Sequence, residues 1–272
     1  MKPSFAALVR LSALAVASLL SVACASAQFS KLDDLASQVI KEVKPFKPYL
    51  IAVADFRSLD GKTTVQGHYF AWMITDVLRD HAKKKFSVAA HKDFDDDLAK
   101  LKLSASALVP GESLRSAAPQ IGADILVLGT IERRGSSYFL ELTPVHLADG
   151  QILPATNKSI VVNDFLDSLV TPFPESILKA GAQGVGLPGC IYCPDPSYTD
   201  LARREKISGH SVMMVLVSTD GVAAQIRPVS LLGYGLDEQA YYAIKGWKFR
   251  PATKDGSPVP TIVPIEVTFL IY

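Results

Sequence analysis

The last stretch of the chain, Thr261–Ile271, alternates strictly. Val263, Ile265, Val267, Phe269 and Ile271 fall on one face and Pro264, Glu266 and Thr268 on the other. Such alternation fits a β-strand with one buried and one solvated face. Pro264 has no N–H to give to a ladder, so the strand belongs at the edge of a sheet. A second strand, His210–Ser218 (HSVMMVLVS), is apolar on both faces, which predicts a central position covered on both sides or nearly so. Asp220-Gly221 then signals a hairpin returning as Val222–Val229. Three antiparallel strands follow from this, with His210–Ser218 in the middle. Two helices are predicted to pack on them. Tyr198–Lys206 is one, and Leu236–Trp247 is the other, with Leu236, Ala240, Ala243, Ile244 and Trp247 as its apolar stripe.

The rest of the chain, taken from its start, predicts a second unit. Lys2 and Arg10 precede the apolar run Leu11–Ala25, and Ala25-Ser26-Ala27 has the small residues of a signal-peptide cleavage site, with cutting after Ala27. The expectation is an exported protein in the periplasm. Two alternatives stay open: Ser21-Val22-Ala23-Cys24 as a partial lipobox with Cys24 acylated, and an uncleaved signal acting as an inner-membrane anchor. Residues 29–163 then give helix Lys31–Lys44, strand Tyr49–Phe56, helix Val65–Lys84, strand Phe86–Ala90, and helices Asp93–Leu103 and Ser113–Ile121. Strands Ala123–Glu132, Tyr138–Leu147 and Gln151–Val162 follow. This order predicts an α/β layer with a mixed sheet, and the whole chain is of the α+β class.

Residues 164–193 are read as a linker, with short helical pieces at Phe165–Val170 and Glu175–Ala180 interrupted by Pro172 and Pro174. Gly181, Gly184 and Gly186 have no strand before them and no helix after them, so they are not a phosphate loop. Cys190 and Cys193, in an exported chain, are expected as a disulfide; a zinc half-site completed by another chain, a redox pair and free thiols are the alternatives.

No catalytic chemistry is visible. The chain has 28 basic and 27 acidic residues, a net charge of +1, which gives no field to attract nucleic acid. Lys83, Lys84 and Lys85 read as a solvated helix end. His68, His81 and His91 are spread over two helices and a strand end and are read as surface or partly buried histidines, not metal ligands. Asp93, Asp95, Asp96 and Asp97 lack the glycine and distal acid of a calcium loop and are read as helix-start acids. No nucleophile or acid–base pair sits in a recognisable motif, so neither an enzyme nor a cofactor is expected.

The stretch from residue 194 to the end resembles the C-terminal domain of the TonB family. The residues that carry the resemblance are Pro196-Ser197-Tyr198, Ala202-Arg203, Gly209, Asp220-Gly221, Gly233-Tyr234-Gly235-Leu236-Asp237, Ala240, Trp247–Ala252 (WKFRPA), Asp255–Val259 (DGSPV), Phe269 and Tyr272. The resemblance implies a domain that binds an extended segment of a TonB-dependent outer-membrane receptor, or of another envelope protein, as an added strand. On this chain it points to the edge strand, with Thr261, Ile262, Val263, Glu266, Val267 and Thr268 as the binding residues. It also implies energy coupling with an ExbB/ExbD-type complex if the N-terminus is retained, and leaves a homodimer open. Two departures weigh against force transmission: the cleavage pattern of the first segment, and a folded unit where a Pro- and Lys-rich spacer is usual. Residues about 49–150, through IAVADF, FSV, IGADILVLGTIER and ADGQIL, resemble periplasmic domains of the CsgG, FlgO and LpoB type. That implies an assembly domain, and the alternative function is a structural adaptor for a secretion, motility or cell-wall complex.

Overall fold

The computed structural model describes residues 30–46, 49–82, 85–100, 102, 108, 110–182 and 184–271. The expected signal segment with Ala27 and Cys24, the lysines Lys83 and Lys84, and Tyr272 lie outside the described residues.

The N-terminal unit is a three-layer sandwich. Helix α1, residues 30–43, is followed by β1 (Leu50–Val53), α2 (Val65–Ala82), β2 (Ser87–Val88), α3 (His91–Lys100), α4 (Glu112–Ile121), β3 (Ile125–Arg134), β4 (Ser137–His146), β5 (Gln151–Ile152) and β6 (Thr156–Val161). The sheet is mixed, in the order β2-β1-β3-β4, with β5 and β6 both pairing with β4. β1 is parallel to β2 and β3; β3 and β4 form an antiparallel hairpin over their full length. The run predicted as one strand, Gln151–Val162, is broken between Ile152 and Thr156, where Pro154 stands.

Alternation along β1 sorts the two faces. Ile51 and Val53 face α1 and α2, with Leu35, Val39, Phe70 and Ile74. Ala52 and Ala54 face α3 and α4, with Phe94, Leu98 and Leu114. Phe56, just past β1, is wholly buried, which contributes about 1.5–3 kcal/mol. Its ring lies against the bare Cα of Gly129 on β3, where a Cβ would stand 1.9 Å from Phe56 Cδ1. Arg57 N–H donates to Gly129 O at 2.9 Å and Phe56 N–H to Gly67 O at 3.3 Å. The end of β1 is thereby locked between β3 and the first turn of α2.

The C-terminal unit comprises α5 (Asp164–Ser168), β7 (Leu178–Lys179), β8 (Gly189–Tyr192), α6 (Asp200–Arg204), β9 (Gly209–Val217), β10 (Ala223–Ser230), α7 (Leu236–Gly246), β11 (Lys248–Arg250), β12 (Thr253–Lys254), β13 (Ser257–Pro258) and β14 (Thr261–Phe269). Its main sheet runs β10-β9-β14-β7. β9 is central and antiparallel to both neighbours, in the order expected. It is fully covered on one face and partly covered on the other. Ser211, Met213, Val215 and Val217 are buried, while Val212, Met214 and Leu216 stay half-exposed on the outer face. On α7 the buried stripe holds Leu236, Ala240 and Ile244 as predicted, with Tyr241 in place of Ala243. The expected linker is structured: α5 packs into the shared core through Phe165, and β8 pairs with β11. Glu175–Ala180, predicted helical, instead contributes β7, because the edge of β14 offers it a ladder.

The two units share one core. Phe165 meets Tyr69 of α2 and Tyr241 of α7 in edge-on contacts at 5.3 and 5.6 Å. The contact that fixes their orientation is the corner Gly233-Tyr234-Gly235, in which all three residues have positive φ, of 84°, 55° and 74°. Asp237 holds the corner, accepting from Leu232 N–H and Gly233 N–H at 2.8 Å each and from Ser211 Oγ at 2.6 Å. The corner then docks on α2: Tyr234 N–H donates to Asp76 Oδ2 at 2.8 Å. A Cβ on Gly233 would stand 2.6 Å from Trp72 Nε1. Around this contact Arg204 pairs with Asp80, Asn163 donates to Glu238 at 2.6 Å, and Lys245 pairs with Asp164.

Substitutions at two of these contacts have defined outcomes. Gly129→Ala forces the Phe56 ring out of a filled core and should cost about 1–3 kcal/mol in denaturant unfolding. Phe56→Leu in the same chain should recover part of that, and a strictly additive double variant would contradict the contact. The other outcome concerns pH. Burial raises Asp76 from 3.8 to about 8, with Asp237 and Glu205 adding to the rise and Tyr234 N–H and Arg79 opposing it. Burial likewise raises Glu238 from 4.5 to about 7. Folded values above unfolded ones mean that the stabilisation is complete below about pH 4 and is lost as pH rises through about 7–8. Asp76→Asn keeps an acceptor for Tyr234 without the charge. Its stability relative to the parent should therefore rise between about pH 5 and about pH 9 by thermal melts, and a pH-independent difference would contradict the assignment.

Candidate functional site

Two places on this scaffold can do something. The first is the free edge of β14. Ile262 O points away from β9, since it accepts Ala180 N–H at 3.2 Å. Backbone groups two residues apart on a strand point the same way. Ile262, Pro264, Glu266 and Thr268 therefore face outward, and Val263, Ile265, Val267 and Phe269 face β9 in the ladder. Pro264 sits at an outward position, where its missing N–H costs no bond with β9. β7 pairs in parallel with Thr261 and Ile262, so the edge is narrower than the Thr261–Ile271 expected from sequence. Among the described residues nothing pairs with this side of β14 from Val263 onward. The open backbone groups are Pro264 C=O and the N–H and C=O of Glu266 and Thr268. Beside them the Thr268 hydroxyl and Glu266 carboxylate meet His210 Nδ1 at 3.1 and 3.0 Å. Val267 is buried, so its side chain belongs to the core and not to the edge.

Cys190 and Cys193 are joined in a disulfide, which closes the turn at the end of β8. Cys190 lies opposite Phe249 in the β8–β11 ladder, a sheet separate from the one that holds β14.

The second place is a cleft of about 520 Å³ between the two units. His68, Trp72, His91 and Asp95 line it from one side and Pro228–Leu231, around the end of β10, from the other. Three of these lining residues, His68, His91 and Asp95, group with Asp55, each presenting one ligand atom, all within 4.8 Å of one another. Asp55 Oδ1 lies 3.0 Å from His68 Nδ1 and 2.9 Å from His91 Nε2. Asp95 Oδ2 lies 3.7 and 3.5 Å from the same two nitrogens. The site is outside the carboxyl end of β1, where the chain leaves to α2 on one face of the sheet, while α3 packs on the other; such switch points are where open α/β sheets hold ligands. Burial pushes the Asp55 carboxyl up, but hydrogen bonds to His68 and His91 overcome that and hold it well below the usual carboxylate range. The bond to Asp55 raises His68 against the opposing effect of burial, and burial raises Asp95.

The group brings His68 and His91 together, and His91 is fully buried where a surface or partly buried histidine was expected. His91 is buried and opens α3, so that it and Asp95 stand one turn apart on one helix face. A helix starting at Asp93 would leave His91 outside it and hide that spacing. His81 does stand apart, paired with Asp33 of α1 at 2.8 Å. Of the neighbouring acidic residues, Asp95 joins the group, Asp96 lines the cleft and Asp97 pairs with Lys100.

No curated protein matches the sequence. Among solved structures, similarity is found to LpoB from E. coli, at 12% identity over 48% of this chain and 65% of that one, with a TM-score of 0.39. It is also found to lipoprotein GNA1162 from Neisseria meningitidis, at 14% identity over 42% and 81%, with a TM-score of 0.32. The TonB C-terminal domain of Pseudomonas aeruginosa matches at 18% identity over 36% and 96%, with a TM-score of 0.28. The chain thus spans somewhat less than two thirds of that LpoB chain. Among the described residues no helix is long and apolar enough to cross a membrane. Residues 194–271 match the family described as Gram-negative bacterial TonB protein C-terminal, so this portion of the chain is similar to a TonB-type C-terminal domain.

Proposed function

We propose that this is a binding protein of the Gram-negative envelope whose TonB-type domain takes an extended partner segment as an added strand on β14. The observation that carries the reading is the edge itself. The chain's own Leu178–Lys179 already adds to it at Thr261 and Ile262, and beyond that point the outward groups of Pro264, Glu266 and Thr268 are open. An extended segment satisfies those groups, gaining about 0.5–1.5 kcal/mol per hydrogen bond, and side-chain contacts supply selectivity. The partner class is an envelope protein with an unstructured segment, an outer-membrane receptor first among them. The function is recognition and not catalysis, located in the periplasm. The docking of the domain on α2 through Asp76 and Tyr234 favours an adaptor, since it holds the edge in one orientation to the N-terminal unit.

Photo-crosslinking residues placed at Glu266 and Thr268 in cells, with one at Val229 as the control on the opposite edge, test this. Capture of an envelope protein from positions 266 and 268 but not 229 is expected. Glu266→Pro removes one outward N–H while leaving the ladder to β9 intact. It should weaken the captured complex by about threefold to tenfold, with stability nearly unchanged. Equal capture from all three positions, or full affinity in the Pro variant, would exclude strand addition here.

A further inference from the structure

We propose that Asp55, His68, His91 and Asp95 form a binding site for one divalent first-row transition cation of the zinc class, at the interdomain cleft. The donor set is two imidazole nitrogens and two carboxylate oxygens, which suits zinc and its neighbours better than calcium or magnesium, whose ligands are oxygens. Metal–ligand bonds of about 2.0–2.2 Å put the donors of a tetrahedral site about 3.3 Å apart. The four imidazole-to-carboxylate separations are 2.9, 3.0, 3.5 and 3.7 Å, and all four donors lie within 4.8 Å of one another, so side-chain adjustment alone brings them onto one ion. Two carboxylates and two neutral imidazoles balance a double positive charge.

The support behind the ligands points the same way. His91 is buried, and its Nδ1 lies 3.2 Å from Val53 O on β1. An Nδ1–H donated there fixes the tautomer that presents the Nε2 lone pair to the site, the usual outer arrangement of a metal-bound histidine. Both ring nitrogens of His91 thus face oxygen acceptors, Val53 O on one side and Asp55 and Asp95 on the other. With Nδ1–H on Val53 O, Nε2 is turned to the carboxylates, where a cation can lie between them. The rigid seat comes from Phe56, which locks the residue next to Asp55, and from the i, i+4 spacing of His91 and Asp95 on α3. His68 and Asp95 are partly exposed, which leaves a path for the ion from the cleft. The ring of Trp72 lies 5.8 Å from His68 and 6.3 Å from His91, close enough to report on occupancy.

The full chain, purified without a histidine tag and stripped with chelator, is titrated with Zn²⁺ by calorimetry and with Co²⁺ by visible absorption. One ion per chain is expected, together with the d–d bands of tetrahedral Co²⁺, a change in tryptophan fluorescence and retention of the ion in excess Mg²⁺. His68→Asn and Asp95→Asn, both at partly exposed positions and checked for folding by circular dichroism, should each lose affinity by about tenfold or more. His81→Gln should bind as the parent does. The proposal is overturned if the folded parent takes up no ion, if both ligand variants bind undiminished, or if His81→Gln abolishes binding.

Discussion

The arrangement depends on one buried contact: Tyr234 N–H on the carboxyl of Asp76. The corner at Gly233–Gly235 is costly to form, since three successive residues take positive φ and Tyr234 is not a glycine. Asp237 offsets that cost from within its own domain by binding the two preceding N–H groups and Ser211. Asp76 offers the outward N–H of the corner its partner from the other domain. Each carboxyl is buried, and each satisfies backbone donors that would otherwise be orphaned in the core. The corner is thus both the turn that launches α7 and the peg that orients the sheet.

Both candidate sites follow from that peg. With the corner seated on α2, the end of β10 lies over His68 and Trp72, and the cleft closes above the Asp55 group. β14 lies on the other side of β9 from β10 in the sheet, and among the described residues nothing pairs with its outward backbone groups from Val263 onward. One scaffold therefore carries both a polar recess at the domain junction and an open strand edge. The two sites use different chemistry: side-chain donors converge in the recess, and main-chain groups lie in a row along the edge.

Local pattern makes much of this legible in the residues themselves. The alternation in Thr261–Ile271 and the Pro at position 264 imply a flanking strand, and β14 does flank β9 with Pro264 facing outward. The apolar spacing in α1, α2 and α7 marks their buried faces. What stays hidden depends on distant partners. Glu175–Ala180 has helix-forming residues, and only the ladder offered by Thr261 and Ile262 makes it a strand. Apolar residues on both faces of β9 suggest two covers, and the second, over Val212, Met214 and Leu216, is only partial. The Asp55 group joins a strand end to two helices. Its one local clue, His91 and Asp95 one turn apart, is masked when the acidic run from Asp93 is taken as the start of α3, two residues late.

The most direct test of strand addition is residue-resolved amide hydrogen exchange along β14, free and in complex with the protein captured at its edge. The account predicts that Glu266 and Thr268 exchange fast in the free chain and become protected in the complex. Ile265 and Val267, already bonded to β9, should be protected in both states. A stable complex in which Glu266 and Thr268 exchange as fast as in the free protein would contradict it.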